Sequence, residues 1–450
     1  MFVLVSSNAR LALGVLALAV LATSASCVTA DKEGDQLQRE RASLGKTPAF
    51  NVDLAQTSAS GISSGGYMAV QFGVAFSSIV KGVGVFAGGP FTCSGGSVGN
   101  ALGRCMSRTS PLDPAPFVAT TTQYASIGAI DPVATIATQR VFLFGGSDDA
   151  TVSPAVMDGL RDYYFALGVP SPALAFERRR PGTAHTMPTL DYGGSCGMTA
   201  SPYLGKCGYD GAGQALAHIY GPLAPPVSTP TGTFIEIPQK DFIANPGAHS
   251  LADTGYAYVP TSCSSGETCR IHVAFHGCLQ SVSKVGDAFY KHAGYNQWAD
   301  NNHLIIVYPQ TITTFGSNPN GCWDWWGYDS AEYAKKSGPQ LKMTRAIVDR
   351  LAGGSPAPID AGAPPADAGT PPPYAGTVES DAATDGGIEE SAASCIAASN
   401  TEHIAAGRAY PAYGYAFAMG SSQPLGPALP WTRTGLTRVA AGVYVIGACW

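Results

Sequence analysis

Gly61-Ile62-Ser63-Ser64-Gly65, near the start of a 450-residue chain, decides how the rest is read. It fits G-x-S-x-G, in which a serine is held on a strained strand-to-helix turn and glycines sit where side chains would collide with neighbouring backbone. Ser63 has a glycine two residues away on each side, whereas Ser64, between Ile62 and Gly66, does not. Ser63 is therefore the candidate nucleophile. In a chain with 54 glycines the alternative is a plain glycine-rich loop, so the neighbouring sequence has to decide.

Residues 65–78 (GGYMAVQFGVAFSS) place Met68, Phe72 and Phe76 four apart, which predicts a helix, and residues 80–87 (VKGVGVFA) read as a buried strand. Turn, helix and strand follow in the required order. Residues 141–144 (VFLF) predict another short buried strand, followed by Gly145-Gly146-Ser147-Asp148-Asp149 and a helix with Val156, Leu160, Tyr164 and Leu167 on one face. Further β-like runs occur at 173–177, 272–275 and 304–308, with a helical stretch over 289–299 and a last helix carrying Leu341, Thr344, Ile347, Val348 and Leu351. Alternating strands and helices predict an α/β fold, a mainly parallel sheet covered on both faces.

Only 13% of residues are charged, and the formal net charge is −6. The acids of residues 352–394 account for that excess, and the remainder is close to neutral, without the basic stripe that nucleic-acid binding requires. Arg178-Arg179-Arg180 reads as a solvated strand end. Residues 1–30 have the form of an export signal: Arg10, the apolar run 11–22, and small residues ending Val28-Thr29-Ala30. That apolar core is too short for a membrane span. A lipoprotein site at Cys27 is the alternative, with Ser24 standing where leucine is usual. Either route removes Cys27 and leaves ten cysteines, an even number suited to an oxidising compartment. Sequence proximity pairs Cys93 with Cys105, Cys196 with Cys207, Cys263 with Cys269, Cys278 with Cys322, and Cys395 with Cys449. Metal binding is the rival use, but no C-x2-C pair or histidine doublet has ligand spacing, and no metal is expected.

Domain boundaries follow composition. Residues 352–394 are Pro, Ala, Gly and Asp with almost no apolar bulk and predict an extended linker between a main domain at 46–351 and a module at 395–450. So small a module needs a staple, which Cys395 and Cys449 would supply.

A nucleophilic serine needs a base, and the base needs an acid to orient it; in α/β-hydrolases these follow in the chain order Ser, Asp or Glu, His. Asp149 and His185, each in a loop after a predicted strand, fulfil that order, with Asp148 as the competing acid. One oxyanion donor would be the Ser64 N–H. The other usually comes from a His-Gly loop on an earlier strand, yet here Val273-Ala274-Phe275-His276-Gly277-Cys278 lies more than two hundred residues after the serine. A circularly permuted α/β-hydrolase explains both the early serine and the late His-Gly.

GISSGGYMAVQ, FAGGPFTCS, SDDATV, AHTMP, HVAFHGCLQ and NGCWDWWGY, in that order, resemble the extracellular short-chain polyhydroxyalkanoate depolymerases with the permuted (type 2) catalytic domain. The resemblance covers about residues 46–351. It implies Ser63 as nucleophile, Asp149 as acid, His185 as base, the backbone amides of Ser64 and Cys278 as oxyanion hole, and a polyester substrate with no cofactor. Trp323, Trp325, Trp326 and Tyr328 form an aromatic cluster for which core packing and substrate lining are equal alternatives; the resemblance favours substrate lining for one tryptophan. The C-terminal module is similar to small modules appended to secreted hydrolases, where it would adsorb to polymer or attach to a cell surface.

Overall fold

The computed structural model describes residues 47–354 and, toward the C-terminus, 395–412, 415–419, 424–427, 433–440 and 443–446. The export signal, Cys27, Cys449 and almost all of the expected linker lie outside the described residues.

Eleven strands precede the C-terminal segment: β1 Thr57–Ile62, β2 Val80–Phe86, β3 Arg140–Gly146, β4 Leu174–Arg180, β5 Met187–Thr189, β6 Gly194–Ser195, β7 Leu204–Lys206, β8 Thr233–Pro238, β9 Thr254–Val259, β10 Arg270–Phe275 and β11 Leu304–Tyr308. Eight of them make one sheet in the order β4-β3-β2-β1-β10-β11-β9-β8. From β4 to β11 every neighbouring pair is parallel; β9 runs antiparallel to both β11 and β8. β1 is buried along its whole length, as a central strand covered on both faces must be.

Side chains alternate between two cores. Ala59, Val83, Leu143, Val273 and Val307 pack on one face with the helices Ser64–Ala75, Pro154–Ala166 and Pro339–Leu351. Ile62, Phe86, Phe142, Ala274 and Ile306 pack on the other, against the helix Gly211–Tyr220. This period-two division is what burial on both sides of a strand produces.

The expected helix over 65–78 ends at Ala75, because Asp131 accepts hydrogen bonds from the Ser78 N–H and hydroxyl and turns the chain out of the helix. The helical stretch over 289–299 is two helices, Ala288–His292 and Tyr295–Ala299, separated by Gly294 at φ +98°. Arg178 is half-exposed as a strand end should be, but it also holds the buried Asp158 carboxylate with two hydrogen bonds.

Disulfides join Cys93–Cys105, Cys196–Cys207, Cys263–Cys269 and Cys278–Cys322. Cys395 is also disulfide-bonded. The C-terminal segment contains an antiparallel sheet of Cys395–Ser399, Arg433–Ala440 and Val443–Ile446, a second of three short strands, and the helix Asn400–Ala405, started by a Ser399/Glu402 capping box.

Candidate active site

The G-x-S-x-G turn joins β1 to the helix Ser64–Ala75, and its two glycines are sterically required. A Cβ on Gly61 would lie 2.2 Å from Gly65 O; one on Gly65 would lie 2.3 Å from Phe275 O and 2.4 Å from His276 O. Ser63 itself sits at φ 58°, ψ −124°, a backbone conformation that costs about 1–3 kcal/mol and persists only where the surrounding structure enforces it. The turn leaves Ser63 partly exposed and Ser64 buried, with the Ser64 hydroxyl accepting a hydrogen bond from Trp323 N.

Because β3 and β4 are sheet neighbours, the loops leaving them meet: Asp148 N donates to Thr183 O. Asp149 and His185, carried on these loops, are both buried, and His185 Nδ1 lies 2.9 Å from Asp149 Oδ2. The other carboxylate oxygen of Asp149 accepts from the Thr151 and Val152 amides, which fixes its orientation. A carboxylate can only accept, so Nδ1 carries the proton and the lone pair stays on Nε2. Asp148 is exposed and bonded to the Ser147 hydroxyl. Thus the structure joins Asp149, and not Asp148, to His185.

On the other side of β1, β10 delivers His276-Gly277-Cys278. A Cβ on Gly277 would lie 3.3 Å from Ser63 Cβ, so the loop passes against the serine. Cys278 is tied to Cys322, and Leu279 N donates to Asn320 O. Among the described residues neither the Ser64 nor the Cys278 N–H has a protein acceptor. Ser63, Ser64, His185 and Cys278 all line one cavity of about 310 Å³.

The aromatic cluster divides. Trp325 and Trp326 line this cavity; Trp325 stacks on Tyr67 with ring centroids 4.1 Å apart. Trp323 and Tyr328 are not among its lining residues. Trp323 is fully buried and donates its indole N–H to His276 O, while the Tyr328 hydroxyl is engaged with Cys322 O, Asn318 and Gln340. Asp324 explains the division. Its carboxylate accepts from the amides of Gly327, Tyr328, Asp329 and Ser330, and residues 324–329 bend around it rather than running on as a strand. Burial pushes this carboxyl up to about 6, against the four N–H bonds that favour its charged form.

His276 and Gln280, which brace the Cys278 loop, carried no signal in the sequence beyond the His-Gly pair itself. Among the described residues no group of three or more His, Cys, Asp or Glu could hold a metal ion, and no helix is long and apolar enough to cross a membrane.

No family model matches the chain. A poly(3-hydroxybutyrate) depolymerase of Delftia acidovorans is 38% identical over 472 aligned positions, covering 89% of this chain and 94% of its own. A polyhydroxybutyrate depolymerase of Talaromyces funiculosus is 40% identical over 325, covering 68% of this chain and 92% of its own. Two solved structures, a PHB depolymerase from Penicillium funiculosum and a serine-to-alanine PHB depolymerase complexed with an R3HB trimer, match at TM-scores of 0.63 and 0.64. Each is 38% identical, and the match covers 68% of this chain and 98% of the other. Sharing 38% and 40% identity with two such enzymes over nearly their whole lengths, this chain belongs to the polyhydroxybutyrate depolymerase family.

Proposed function

We propose that the protein is a secreted serine esterase that hydrolyses poly(3-hydroxybutyrate) or a related short-chain polyhydroxyalkanoate. The observation that carries this reading is that Ser63, Ser64, His185 and Cys278 line one cavity, with His185 bonded to Asp149 behind it. In the first half-reaction His185 Nε2 takes the Ser63 proton as Oγ attacks the ester carbonyl, and the two amides stabilise the tetrahedral oxyanion. His185 then returns the proton to the departing alcohol oxygen, leaving an acyl-enzyme. Water, deprotonated by the same nitrogen, attacks the acyl carbon; the acyl–Ser63 bond breaks as His185 gives that proton to Ser63 Oγ, freeing the hydroxyacid and restoring the serine. Each oxyanion donor is worth about 10²–10³ in rate. No step asks for a metal or cofactor.

Trp325 and Trp326 are assigned to the polymer because they wall the cavity; Trp323 and Tyr328 are assigned to support of the loops behind it. The fold is read as a circular permutation: β10, whose exit supplies the Cys278 amide, lies beside β1 in the sheet yet follows it by some two hundred residues in the chain. Residues 1–30 are assigned to export, which the disulfides support. Residues 352–394 are assigned as linker and 395–450 as a module that adsorbs to the polymer. The Delftia relative's coverage of 89% of the chain, against 68% for the Talaromyces one, extends the likeness beyond a catalytic domain alone.

The test is release of 3-hydroxybutyrate from polyhydroxybutyrate film by the wild type and by Ser63→Ala, beside ferulate and acetyl release from plant polysaccharide. Clearing of film by the wild type alone is expected. Ferulate or acetyl release without clearing would move the substrate to plant-wall esters.

A further inference from the structure

A second cavity, of about 480 Å³, shares no lining residue with the one that holds Ser63. The segment closed by the Cys93–Cys105 disulfide contributes to both: Val98, Ala101 and Leu102 line the first, and Gly95, Gly96 and Arg104 line the second. Neither the nucleophile, nor its base, nor the oxyanion amides use the second cavity, so the reaction does not explain its polar lining.

Arg104 sets the chemistry there. Its Nε donates to Cys93 O at 2.7 Å, and its Cζ lies 5.6 Å from the Phe117 ring centroid, so the guanidinium is anchored at its base and against an aromatic ring. Among the described residues Nη1 and Nη2 have no acceptor, and no carboxylate lies within ion-pairing distance of them. The neighbouring cation, Lys335, 4.9 Å from the Tyr124 ring centroid, is already matched by Glu332 at 2.6 Å. One fixed positive charge with two parallel sets of N–H donors is thus left at the cavity, the geometry that takes both oxygens of a carboxylate. Arg104 is the only Lys or Arg among the cavity's lining residues, which suits a monoanion better than a phosphate dianion. The Tyr124 hydroxyl and the Gln123 amide line the same cavity and have no protein partner among the described residues, which leaves them for a hydroxyl on the ligand.

We infer that this cavity binds a small hydroxylated monocarboxylate through Arg104, and that its ligand is the hydroxyacid which the proposed reaction releases. The identity of the ligand rests on that reading of the enzyme; the carboxylate chemistry rests on Arg104. The test uses the full-length wild type, so no variant has to fold. Phenylglyoxal modifies accessible arginines, and peptide mapping follows Arg104 beside Arg179, a control whose side chain is 53% exposed. With a Kd of about 1 mM, (R)-3-hydroxybutyrate at about 20 mM should slow modification of Arg104 about 20-fold at fixed ionic strength. The neutral (R)-3-hydroxybutyramide should slow it less than about twofold, and Arg179 should be unaffected by either. Gln123→Glu, on an exposed helical position, places a carboxylate at the cavity; protection by hydroxybutyrate should then fall below about threefold. Equal protection by acid and amide, equal slowing at Arg179, protection by inorganic phosphate alone, or full protection in Gln123→Glu would each overturn the inference. Film clearing by Ser63→Ala separates the two levels. If that variant is inactive and Arg104 is unprotected in the wild type, only the site fails; if it still clears film while Arg104 is protected, the serine-esterase reading fails and the carboxylate site stands.

Discussion

Gly65→Ala should damage catalysis far more than stability. The added methyl would lie 2.3 Å from Phe275 O and 2.4 Å from His276 O, where ordinary contact begins near 3.4 Å, so one backbone must retreat by about 1 Å. No flexible side chain can absorb the shift. Overpacking of this kind costs about 1–3 kcal/mol, and alanine returns roughly 1 kcal/mol because the position is helical. The net loss, about 0–2 kcal/mol, should lower Tm by only a few degrees in a domain of this size. The displaced backbone, however, either opens the helix that presents the Ser64 N–H or moves the loop that presents the Cys278 N–H. A misplacement of about 1 Å can cost on the order of 10²-fold in rate. The assay is kcat on p-nitrophenyl butyrate beside a thermal melt, with Gly194→Ala as control because a Cβ there meets nothing within 4 Å. Activity within about threefold of wild type in folded Gly65→Ala would refute the claim that these backbones set the oxyanion geometry.

Asp149→Asn should lower kcat by about 10³–10⁴ because an amide can stabilise the wrong imidazole tautomer, whereas Asp148→Asn should change it less than threefold; equal effects would leave the acid unassigned. His249, whose Nδ1 is 2.9 Å from Asp329 Oδ1, is held above its ordinary pKa chiefly by that hydrogen bond. Its stabilising contribution is therefore fully present below about pH 6.5 and is lost as pH rises through the higher folded value; melts from about pH 5.5 to 8.5 should show a smaller decline in His249→Gln than in wild type, and parallel declines would remove the pair from the account. Deleting residues 352–450 should leave hydrolysis of soluble p-nitrophenyl butyrate nearly unchanged and slow attack on solid polymer, if the module's proposed role is to raise the enzyme's concentration at a surface. Loss of both activities would make the module part of the catalytic fold, and loss of neither would favour cell-surface attachment.

The elbow was legible because its glycine spacing is a short pattern: a Cβ on Gly61 would meet the Gly65 backbone, and one on Gly65 would meet the backbone of Phe275 and His276. β2, β3, β4, β10 and β11 were legible from short apolar runs, and four cysteine pairs from sequence proximity. β8 and β9 were not singled out. β8 is an edge strand, mostly part-exposed, and its place depends on pairing with β9 rather than on apolar content. The fates of the aromatic residues were hidden for a different reason. Asp324 gathers four amides and sends Trp323 and Trp325 different ways, a turn that the alternation Trp-Asp-Trp-Trp does not encode. Similarly, a doubled aspartate gives no register; Asp149 meets His185 because the Thr151 and Val152 amides hold its carboxylate inward while Asp148 faces solvent. His276 was read only as half of a His-Gly pair, since its bond to Gly277 O becomes visible only once the loop is folded.

Ser63 Oγ is the atom on which the proposed reaction turns. Labelling with a fluorophosphonate, followed by peptide mapping, tests it most directly. A single adduct on Ser63 is expected, formed in step with loss of polyhydroxybutyrate film clearing and absent from Ser63→Ala. An adduct on Ser64, or undiminished clearing by fully labelled enzyme, would contradict it.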